Sequence, residues 1–584
     1  MFDKVLVANR GEIAIRVFRT LRELELGAVA VYSEADRGAL HLTFADEAFL
    51  LGPAAPAESY LNVERLVETA LRAGAGAVHP GYGFLAENAG FARAVEDAGL
   101  VWIGPPPEAI ELMGSKTRAR QAMQAAGVPI IPGTTEPVGS VDELLALGDS
   151  IGYPLLIKAA AGGGGKGMEV VEEPAAAERA FETARRQGQS YFANPDVYVE
   201  KLIVDPRHVE VQVLADAHGN AIHLGERDCT IQRRHQKLVE ETPSPGVDEE
   251  LRARIGKIGV DAARACGYRS AGTIEGLLTR DGEYFFMEMN TRIQVEHTVT
   301  EMVTGLDLVR EQVLIALGEP LSVTQDAVEL RGHAIECRIN AEDPARGFLP
   351  TPGVISEYRE PAGPGVRVDS GVAAGNEISG VYDPMIAKLI VHGEDREHAR
   401  RRMLRALGEF VIEGPTTLLG FHRALLEHDC FVGAETCHGV VESEELAARA
   451  AELAGASTNV QRARSNGRTV ERVRIVELDG RRFDVRVLEP EPPWRELARR
   501  RRERVRVGGG AGTDAVVSPM QGTVLSVAVA DGDEVQPGQV ICIVEAMKME
   551  NEVHAHRAGV VSELSVAAGH AVTTGQVICV VTSP

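Results

Sequence analysis

The chain has 584 residues, with 85 acidic and 61 basic side chains and a formal net charge of −24. Its composition, 44% hydrophobic and 25% charged, is that of a globular protein with about three or four domains. The acidic balance argues against nucleic acid as a partner, and no apolar run is long enough to cross a membrane. The N-terminus lacks a basic segment followed by a cleavage site, so we expect a cytoplasmic protein without a membrane partner. The seven cysteines are scattered without CxxC pairs, so neither a disulfide framework nor a zinc site is expected.

The first part of the chain alternates between strand and helix patterns. The strand patterns lie at residues 4–8, 28–33, 76–79 and 100–104, and a helix pattern lies at 11–25. This alternation predicts a doubly wound parallel sheet, and such sheets bind ligands at the carboxyl ends of their strands. Two polar segments that contain glycine, residues 9–12 and 79–83, occupy those ends.

A glycine-rich segment at residues 162–165 follows the next strand pattern. Consecutive glycines let backbone N–H groups approach phosphate oxygens without side-chain clashes. The spacing departs from a Walker A loop, because Ala160 stands where the first glycine belongs. We interpret the segment as a mobile lid over nucleotide phosphates, to which Lys116 and Lys158 add positive charge.

Several polar runs downstream favour the same nucleotide site. The strand pattern at 197–204 has a backbone edge that can hold an adenine ring, and Glu200 can accept from its amino group. In the next strand, strict alternation places three polar side chains on one face, those of His208, Glu210 and Gln212. A dense polar cluster follows at 232–237. One such run alone is typical of a solvated surface, so it is their convergence that indicates a site.

The segment from Phe286 to His297 carries a dense set of functional polar groups. If it is extended, its even positions share one face, namely Glu288, Asn290, Arg292, Gln294 and Glu296. An edge strand with a wet face would instead show mostly Thr, Ser and Lys. Glu275 can join Glu288 around Mg²⁺, a hard cation that binds carboxylate oxygens. The pattern therefore predicts a nucleotide and metal site.

Residues 446–513 connect this part to the C-terminus and have weaker signals. They contain a helix pattern near 443–453, a hairpin pattern at 473–488 with a type I′ turn at Asp479–Gly480, Trp494, seven arginines from Arg495 to Arg506, and a glycine run at 508–512. We expect the glycine run to be a flexible tether. The hairpin and Trp494 suggest a small docking element for another subunit, with a solvated tether as the alternative.

Residues 515–584 consist of two copies of one small β unit. Residues 522–532 correspond to residues 559–569 at an offset of 559 − 522 = 37 positions. Each copy is too small to bury a core alone, so we expect the two to pack face to face as a flattened antiparallel barrel. Lys548, flanked by two methionines at the joint, would lie at the tip of a protruding hairpin. A plain solvated surface lysine is the alternative.

The chain resembles the biotin-dependent carboxylases in two parts. Residues 1–445 resemble biotin carboxylase, an ATP-grasp enzyme, through the motifs at 8–13, 79–88, 228–237, 288–297, 333–340 and 382–391. The sequence Ala-Met-Lys-Met at 546–549 is similar to the biotinyl domain, in which that lysine is modified. The resemblance implies an α/β ATP-grasp biotin carboxylase followed by a C-terminal all-β flattened barrel of the biotinyl or lipoyl type.

The resemblance also implies domain boundaries. The predicted parts are a biotin carboxylase at 1–445, divided into an N-terminal subdomain at 1–114, an ATP-grasp part at 115–330 with a mobile lid near 131–203 and a C-terminal subdomain at 331–445, then a connector at 446–513 and a biotinyl carrier domain at 514–584.

The resemblance assigns roles to particular residues. The ATP site would comprise Lys116, Lys158, Gly163, Gly164, Gly165, Glu200, Lys201, Ile203, His208, Gln232 and His235. Mg²⁺ or Mn²⁺ would be bound by Glu275, Glu288 and Asn290, and biotin would be attached to Lys548. Lys237, Arg292, Gln294 and Val295 would hold bicarbonate, Glu296 would deprotonate it, and Arg338 would stabilise the biotin enolate. Thr298 stands where the family usually has proline, and we expect this only to loosen the turn after His297.

The implied chemistry explains why these residue types are needed. Bicarbonate and the ureido nitrogen of biotin are both poor nucleophiles, so ATP phosphorylates bicarbonate to carboxyphosphate, which breaks down to CO₂ beside biotin. The phosphoryl step needs a divalent cation and lysines, bicarbonate needs a base, and the enolate needs a cation. A closed lid keeps water away from the intermediate.

The resemblance therefore implies an ATP-dependent ligase, the α subunit of an acyl-CoA carboxylase of the acetyl or propionyl type. No stretch is left for a carboxyltransferase, so we expect a separate β subunit, with biotin protein ligase as a further partner, in a hetero-oligomer whose biotin carboxylase domains dimerise. An alternative is the α subunit of a methylcrotonyl-CoA or pyruvate carboxylase, and the identity of the partner subunit decides between the two assignments. A biotin carrier with a degenerate nucleotide domain is disfavoured, because no catalytic position is lost.

Overall fold

The computed structural model describes residues 2–159, 168–192, 194–465, 469–478, 481–490, 514–519, 522–546, 549–573 and 575–582. Only the backbone is described for residues 191–192, 455–465, 469–478, 481–490, 545–546 and 549–551. Gly163, Gly164, Gly165, Lys548 and the predicted tether therefore lie outside the described residues. The chain divides into two units, Met1–Asn459 and Val460–Pro584, and each is described by itself.

The N-terminal residues form a parallel sheet with helices. The strands are β1 (Lys4–Val7), β2 (Gly27–Ser33), β3 (Glu47–Gly52), β4 (Ala77–His79) and β5 (Val101–Trp102), and the helices are α1 (Gly11–Glu23), α2 (Val63–Arg72), α3 (Ala89–Asp97) and α4 (Pro107–Gly114). The strand order is β3-β2-β1-β4-β5, and all pairs are parallel. Val5 and Val7 belong to one core cluster and Leu6 to another, because successive side chains of β1 point to opposite faces. The predicted parallel sheet is confirmed.

The predicted lid is a small α/β unit with its own core. Its elements, after α5 (Lys116–Ala125), are α6 (Val141–Ile151), β6 (Leu155–Ala159), β7 (Met168–Val171), α7 (Ala177–Phe192) and β8 (Val197–Lys201). The three strands pair antiparallel in the order β7-β6-β8. Leu144, Ile157 and Phe181 contribute to a hydrophobic cluster confined to this unit. A separate core is what a lid that moves as one body requires.

The next segment supplies most of a large antiparallel sheet. Its elements are β9 (Arg207–Ala215), β10 (Ala221–Arg233), β11 (Gln236–Thr242), α8 (Glu249–Ala265), β12 (Ser270–Leu278), β13 (Tyr284–Asn290), α9 (His297–Thr304), α10 (Leu308–Ala316) and β14 (His333–Asn340). The long strands form because Val, Ile or Leu recurs at every second position. Val209, Val211 and Val213 are an example, and all three are fully buried.

The following segment extends that sheet and adds helices, the last of which continues past the unit boundary at Asn459. Its elements are β15 (Glu342–Asp343), β16 (Leu349–Pro350), β17 (Gly353–Val354), β18 (Glu357–Arg359), β19 (Val366–Ser370), β20 (Glu377–Ile378), β21 (Met385–Gly393), α11 (Arg396–Glu409), β22 (Val411–Glu413), α12 (Leu419–Glu427), α13 (Asp429–Val432) and α14 (Glu444–Ser465). The completed eight-stranded sheet has the order β13-β12-β9-β10-β11-β14-β21-β19. It runs across the predicted boundary at 330/331, so the ATP-grasp and C-terminal parts share one sheet. In the described part of the chain, no helix has the length and apolarity to cross a membrane.

One disulfide corrects the expectation from the cysteine spacing. Cys430 in α13 is bonded to Cys437 in the loop that follows, with the two Cα atoms 5.5 Å apart. The spacing alone did not indicate this pair, because a separation of seven residues is bridged only when the chain turns back between them.

The connector forms the predicted hairpin. Strands β23 (Thr469–Leu478) and β24 (Arg481–Pro490) pair antiparallel along their whole length, from Thr469 opposite Pro490 to Leu478 opposite Arg481. The predicted turn at 479–480 lies outside the described residues. The two strands form a sheet of their own within the described residues, and an isolated two-stranded hairpin is marginally stable.

The carrier consists of two matching four-stranded sheets. Its strands are β25 (Ala515–Val517), β26 (Gly522–Val527), β27 (Glu534–Val535), β28 (Val540–Ala546), β29 (Met549–His554), β30 (Gly559–Ser562), β31 (Ala571–Val572) and β32 (Val577–Thr582). One sheet has the order β25-β32-β30-β27 and the other β29-β28-β26-β31. The offset of 559 − 522 = 37 residues relates the two sheets strand by strand. Adding it to β28 and β26 gives β32 and β30, and subtracting it from β29 and β31 gives β25 and β27. The predicted barrel is confirmed, with 547–548 between the paired residues Ala546 and Met549.

The repeat predicts that substitutions at equivalent core positions lower the free energy of unfolding of the carrier by equal amounts. Ile541 and Ile578, which are 578 − 541 = 37 residues apart, are both fully buried. Ile541→Ala and Ile578→Ala should each lower the free energy of unfolding of the carrier by about 2–4 kcal/mol. Val577→Ala is the control, because Val577 is 38% exposed, and it should cost about 0.5 kcal/mol or less. Urea unfolding measures all three, and a cost several times larger for one isoleucine would contradict equivalent packing.

Candidate active site

Adjacent strands of the large sheet bring the predicted catalytic side chains together. Strands β12, β9, β10 and β11 are consecutive, and Glu210 on β9 lies opposite both Glu275 on β12 and Arg227 on β10. Lys237 on β11 lies opposite Gln232 on β10. Charged side chains of four strands are thereby placed on one patch of the sheet.

Lys237 is surrounded by three carboxylates. Its Nζ donates to Glu210 Oε2 at 2.5 Å, to Glu296 Oε1 at 2.6 Å and to Glu275 Oε1 at 2.9 Å. Burial alone would lower the pKa of Lys237, but the charges of the three glutamates outweigh burial and raise the pKa well above its ordinary value. The ammonium group is therefore charged at neutral pH.

Glu296 is held between Lys237 and Arg338. Arg338 Nη2 donates to Glu296 Oε2 at 2.9 Å, and Arg338 Nε donates to Glu240 Oε1 at 2.6 Å. Burial would raise the pKa of Glu296, but the charges of Lys237 and then of Arg338 lower the pKa below its ordinary value. Glu296 is therefore ionised at neutral pH, and each of its oxygens contacts one predicted catalytic cation.

Arg227 is a central residue that the sequence pattern did not identify. It is fully buried, and its guanidinium donates to Glu210 at 2.5 Å and to Gln212 and Gln294 at 2.6 Å each. Gln294 in turn donates to Glu275 Oε1 at 2.6 Å. The signal that could have revealed Arg227 is the charged run Glu226-Arg227-Asp228 inside a long strand pattern, but its partners are known only once the strand register is known.

The predicted metal ligands form a cross-strand pair. Glu275 on β12 lies opposite Glu288 on β13, and Asn290 Nδ2 donates to Glu275 Oε1 at 2.7 Å. The Glu288 side chain is solvent-accessible; partial desolvation in the cleft and then the charge of Glu275 raise the pKa of Glu288. Two facing carboxylates that repel each other, with an amide beside them, fit a hard divalent cation such as Mg²⁺ or Mn²⁺.

The extended face predicted beyond Asn290 is wrong. Strand β13 ends at Asn290, and residues 291–296 form turns that lead into α9, whose N-cap is Glu296. The turns nevertheless bring Gln294 and Glu296 to the cluster around Lys237. The side chains converge because the chain folds back, and not because a strand alternates.

Arg292 and Val295 are positioned by residues from distant parts of the chain. Arg292 Nε donates to Glu87 Oε2 at 3.0 Å, and its Nη2 donates to Asn290 Oδ1 at 2.9 Å. The main-chain carbonyl of Val295 accepts from Nζ of the fully buried Lys388 at 2.8 Å. The turn before α9 is therefore attached to the N-terminal subdomain on one side and to β21 on the other.

The residues predicted to bind ATP are brought together only in part. Lys158 Nζ lies 2.5 Å from Glu200 Oε2, and Arg120 pairs with the other oxygen of Glu200. Lys201 Nζ donates instead to the carbonyl of Tyr153 at 2.6 Å. Glu200 is 4% exposed, so it is a shared anionic partner for two cations in the part of the chain that the structure describes.

Other predicted nucleotide residues lie on the large sheet and beside it. Gln232 Nε2 lies 3.0 Å from His208 Nδ1, whereas His235 is exposed in the turn between β10 and β11. Lys116 is the first residue of α5, and burial lowers the pKa of its ammonium group. Ile203 is half-buried just after β8. The structure therefore joins Gln232 and His208 directly but leaves His235 at the surface.

Thr298 does more than loosen a turn, which corrects the expectation. It is fully buried in the first turn of α9, and its hydroxyl donates to Glu336. Glu336 lies opposite Glu240 across β11 and β14. Burial raises the pKa of Glu336 to about 7 and that of Glu240 to about 8. A proline could not supply this hydrogen bond, because it has no side-chain donor.

Four family models match successive parts of the chain. The model of the biotin carboxylase N-terminal domain matches residues 1–110, that of the carbamoyl-phosphate synthase L chain ATP-binding domain 115–324, that of the biotin carboxylase C-terminal domain 336–443, and that of biotin-requiring enzymes 514–581. The matched segments contain the cluster around Lys237 and the lysine at 548.

Individual proteins are similar over different shares of the chain. The α3 subunit of a biotin-dependent acyl-coenzyme A carboxylase of Mycobacterium leprae is 46% identical and covers 95% of each chain. A pyruvate carboxylase subunit of Methanothermobacter thermautotrophicus is 54% identical over 74% of this chain and 88% of its own. The crystal structure of the biotin carboxylase domain dimer of Hydrogenobacter thermophilus 2-oxoglutarate carboxylase, with MgADP, ADP and bicarbonate, is 46% identical with a TM-score of 0.71, over 76% of this chain and 99% of its own.

The buried carboxyl pair predicts a pH dependence of stability. Because the pKa of Glu336 is raised to about 7, the folded protein binds this proton more tightly than the unfolded chain. The corresponding stability is present below the ordinary carboxyl pKa and is lost as the pH rises towards 7. Glu336→Gln should therefore make the fall in the free energy of unfolding between pH 5 and pH 7 shallower, by up to about 1.4 kcal/mol per pH unit.

Urea unfolding at several pH values measures this slope. Glu357→Gln, at an exposed carboxylate of β18, is the matched control and should leave the slope unchanged. Parallel pH profiles for the wild-type protein and Glu336→Gln would show that Glu336 is ionised in the fold at pH 5, against the expectation.

Proposed function

The chain belongs to the biotin carboxylase family, joined in one polypeptide to a biotinyl domain, and we propose that it is the α subunit of an acyl-CoA carboxylase. It would carboxylate biotin on Lys548 at the expense of ATP and bicarbonate, and a separate carboxyltransferase β subunit would transfer the carboxyl group to an acyl-CoA. The proposal rests on the extent of similarity. The match to the acyl-coenzyme A carboxylase α3 subunit covers 95% of this chain, connector and carrier included, whereas the match to the pyruvate carboxylase subunit covers 74%.

The connector supports this choice because it is the part that would meet the partner. The hairpin β23–β24 is a two-stranded sheet in a segment that neither the carboxylase models nor the biotinyl model matches. An isolated hairpin gains stability when a partner covers one of its faces. We assign it to docking of the β subunit, and the arginines and glycines after it to the tether that lets the carrier visit two active sites.

Glu296 is the proposed base for bicarbonate. Its two oxygens contact Lys237 and Arg338, so the carboxylate is ionised and free of a competing proton at neutral pH. A bicarbonate anion bound beside it would raise the pKa of Glu296 by like-charge repulsion. The carboxylate would then become a better proton acceptor only when the substrate is present.

A set of donors around Glu296 is suited to hold an anion. Lys237, Arg292 and Gln294 carry N–H donors within one network, tied together by Glu275 and Asn290. The ammonium charge of Lys237 and the guanidinium of Arg292 offset the negative charge of bicarbonate and of the phosphate that it attacks. The hydrogen bond from Lys388 to the Val295 carbonyl fixes the main chain beside these donors.

Arg338 is the proposed partner of the biotin enolate. Its Nε donates to Glu240 and its Nη2 to Glu296, and the charge of these carboxylates, outweighing burial, raises the pKa of Arg338 above its ordinary value. The cation therefore stays charged where negative charge develops on the ureido oxygen, and it stabilises that charge without moving.

Glu275 and Glu288 would hold the divalent cation, with Asn290 beside them. The cation supplies charge neutralisation for the phosphates of ATP. Lys116, Lys158 and Lys201 would add positive charge near those phosphates, and Glu200 keeps Lys158 in place through the contact of 2.5 Å. The lid elements would then exclude water from the reacting groups.

The role of Glu296 predicts a selective loss of activity. Glu296→Gln keeps the shape of the side chain but cannot take a proton, so bicarbonate-dependent ATP hydrolysis should fall by about 10² to 10⁴-fold while ATP binding persists.

Lys548→Arg is the companion variant: it cannot form the biotin amide, so it should lose acyl-CoA carboxylation but still carboxylate free biotin. An unchanged bicarbonate-dependent rate in Glu296→Gln would make Glu296 structural, and a biotin adduct on Lys548→Arg in intact-mass spectra would exclude Lys548 as the attachment site.

The acceptor is tested on the native complex. The chain is purified with its partner subunit, and fixation of labelled bicarbonate is measured with acetyl-CoA, propionyl-CoA, methylcrotonyl-CoA and pyruvate. We expect the first two to be carboxylated most rapidly, with the Lys548→Arg complex as the background. Carboxylation of pyruvate or methylcrotonyl-CoA in their place would assign the chain to the alternative carboxylase while leaving its biotin carboxylase activity intact.

A further inference from the structure

The disulfide between Cys430 and Cys437 lies in the wall of a cavity. The cavity has a volume of about 890 Å³, and both cysteines line it together with Val204, Arg207 and Leu278. The cysteines are themselves 6% and 4% exposed. Both are therefore largely buried residues that line this cavity, and a small thiol would approach them through it.

The loop closed by the disulfide also separates this cavity from a second one. The second cavity, of about 220 Å³, is lined by Gln232 and shares Thr436, Cys437 and His438 with the first. Gln232 contacts His208 at 3.0 Å, and both are assigned to the ATP site above. Arg207, the neighbour of His208 in the chain, lines the larger cavity. The disulfide loop is thus part of the wall beside the nucleotide residues.

Polar contacts hold this loop against the start of β9. His438 Nδ1 pairs with Asp205, and Thr436 Oγ1 donates to the same carboxylate at 2.6 Å. Arg207 donates to the carbonyl of Ala434. A shift of the loop would therefore move charged groups at the mouth of the cavity.

The backbone of the loop is held in an unfavourable conformation. Ala434 has φ 58° and Cys437 has φ 54°, and the left-handed region is sterically disfavoured for residues with a β-carbon. Both residues lie within the ring closed between Cys430 and Cys437. Because a covalent ring restricts the alternatives, the loop is expected to relax when the bond is broken.

We propose that Cys430 and Cys437 are a reversible redox modification site that sets the affinity of the adjacent nucleotide pocket. The proposal rests on the proposed function for the identity of the nucleotide. One cysteine thiolate attacks a low-molecular-weight disulfide such as glutathione disulfide and releases one thiol. The second thiolate attacks the mixed disulfide and releases the second thiol, so two cysteines are oxidised, one disulfide is reduced, and the two protons pass to the released thiols.

The bonded form is the high-affinity form. With the bond made, the loop is fixed against Asp205 and Arg207, whereas reduction releases Cys437 from α13 and lets the wall move. Reduction should therefore weaken nucleotide binding by about fivefold or more. By the same linkage, bound nucleotide should shift the thiol–disulfide equilibrium towards the bonded form.

The test uses the full-length chain equilibrated at a series of ratios of glutathione to glutathione disulfide. Alkylation and peptide masses report the state of the two cysteines, and calorimetry with MgADP reports the affinity. The wild-type protein should bind MgADP about fivefold or more tightly when oxidised. The double variant Cys430→Ser/Cys437→Ser, which cannot form a mixed disulfide, should show one affinity at every ratio, equal to that of the reduced wild type. Cys266→Ser, at a half-buried cysteine outside the disulfide, should behave as the wild type.

The outcomes separate this proposal from the proposed function. Equal MgADP affinities of the oxidised and reduced wild type would overturn the redox site and leave the carboxylase assignment standing. Alkylation of both cysteines at every ratio would overturn it as well. If the double variant Cys430→Ser/Cys437→Ser does not fold, the comparison of the two wild-type states still decides. Absence of MgADP binding in every state would contradict the proposed function itself, and this proposal with it.

Discussion

One ammonium group, that of Lys237, determines the arrangement of the candidate site. It contacts carboxylates from β9, from β12 and from the turn before α9, each within 2.9 Å. Without that charge the three acids would repel one another, and burial would drive each to take up a proton. Removing one partner of such a buried ion group typically costs about 3–5 kcal/mol. The geometry of the site is therefore maintained by charge balance, and Arg227 maintains the same balance on the neighbouring strand.

A second buried cation extends this balance to the rest of the first unit. Lys388 is fully buried and donates to the Val295 carbonyl, while its Nζ lies 3.4 Å from Glu12 and 4.0 Å from Asp369. Glu12 lies in α1, at the carboxyl end of β1, where the sequence predicts a ligand edge. The turn that carries Glu296 is thus coupled to the N-terminal sheet through one ammonium group, and a change in either part is felt at the anion site.

Local patterns in the sequence were enough to predict the elements and the polar residues, but not the pairings between distant residues. Alternation in β9 correctly placed His208 and Glu210 on one face, because that face is set by neighbouring residues alone. The partnership of Glu240 with Glu336 depends on the register of strands almost one hundred residues apart. Arg227 was missed for the same reason, since its partners Glu210 and Gln294 lie on other segments of the chain. The continuation of β13 beyond Asn290 was predicted wrongly, because alternating polar residues also occur in turns.

The two copies of the carrier are related in a way that bears on how the chain enters and leaves it. Residue 515 plus the offset of 37 is residue 552, so the repeat equates β25, where the connector enters, with β29, which follows the lysine joint. Residues that the repeat equates lie on different sheets, because β25 belongs to the first sheet and β29 to the second. The chain therefore enters the carrier on one sheet and reaches the lysine joint from the other. Attachment to the connector and presentation of the joint are thus divided between the two halves of one symmetric core.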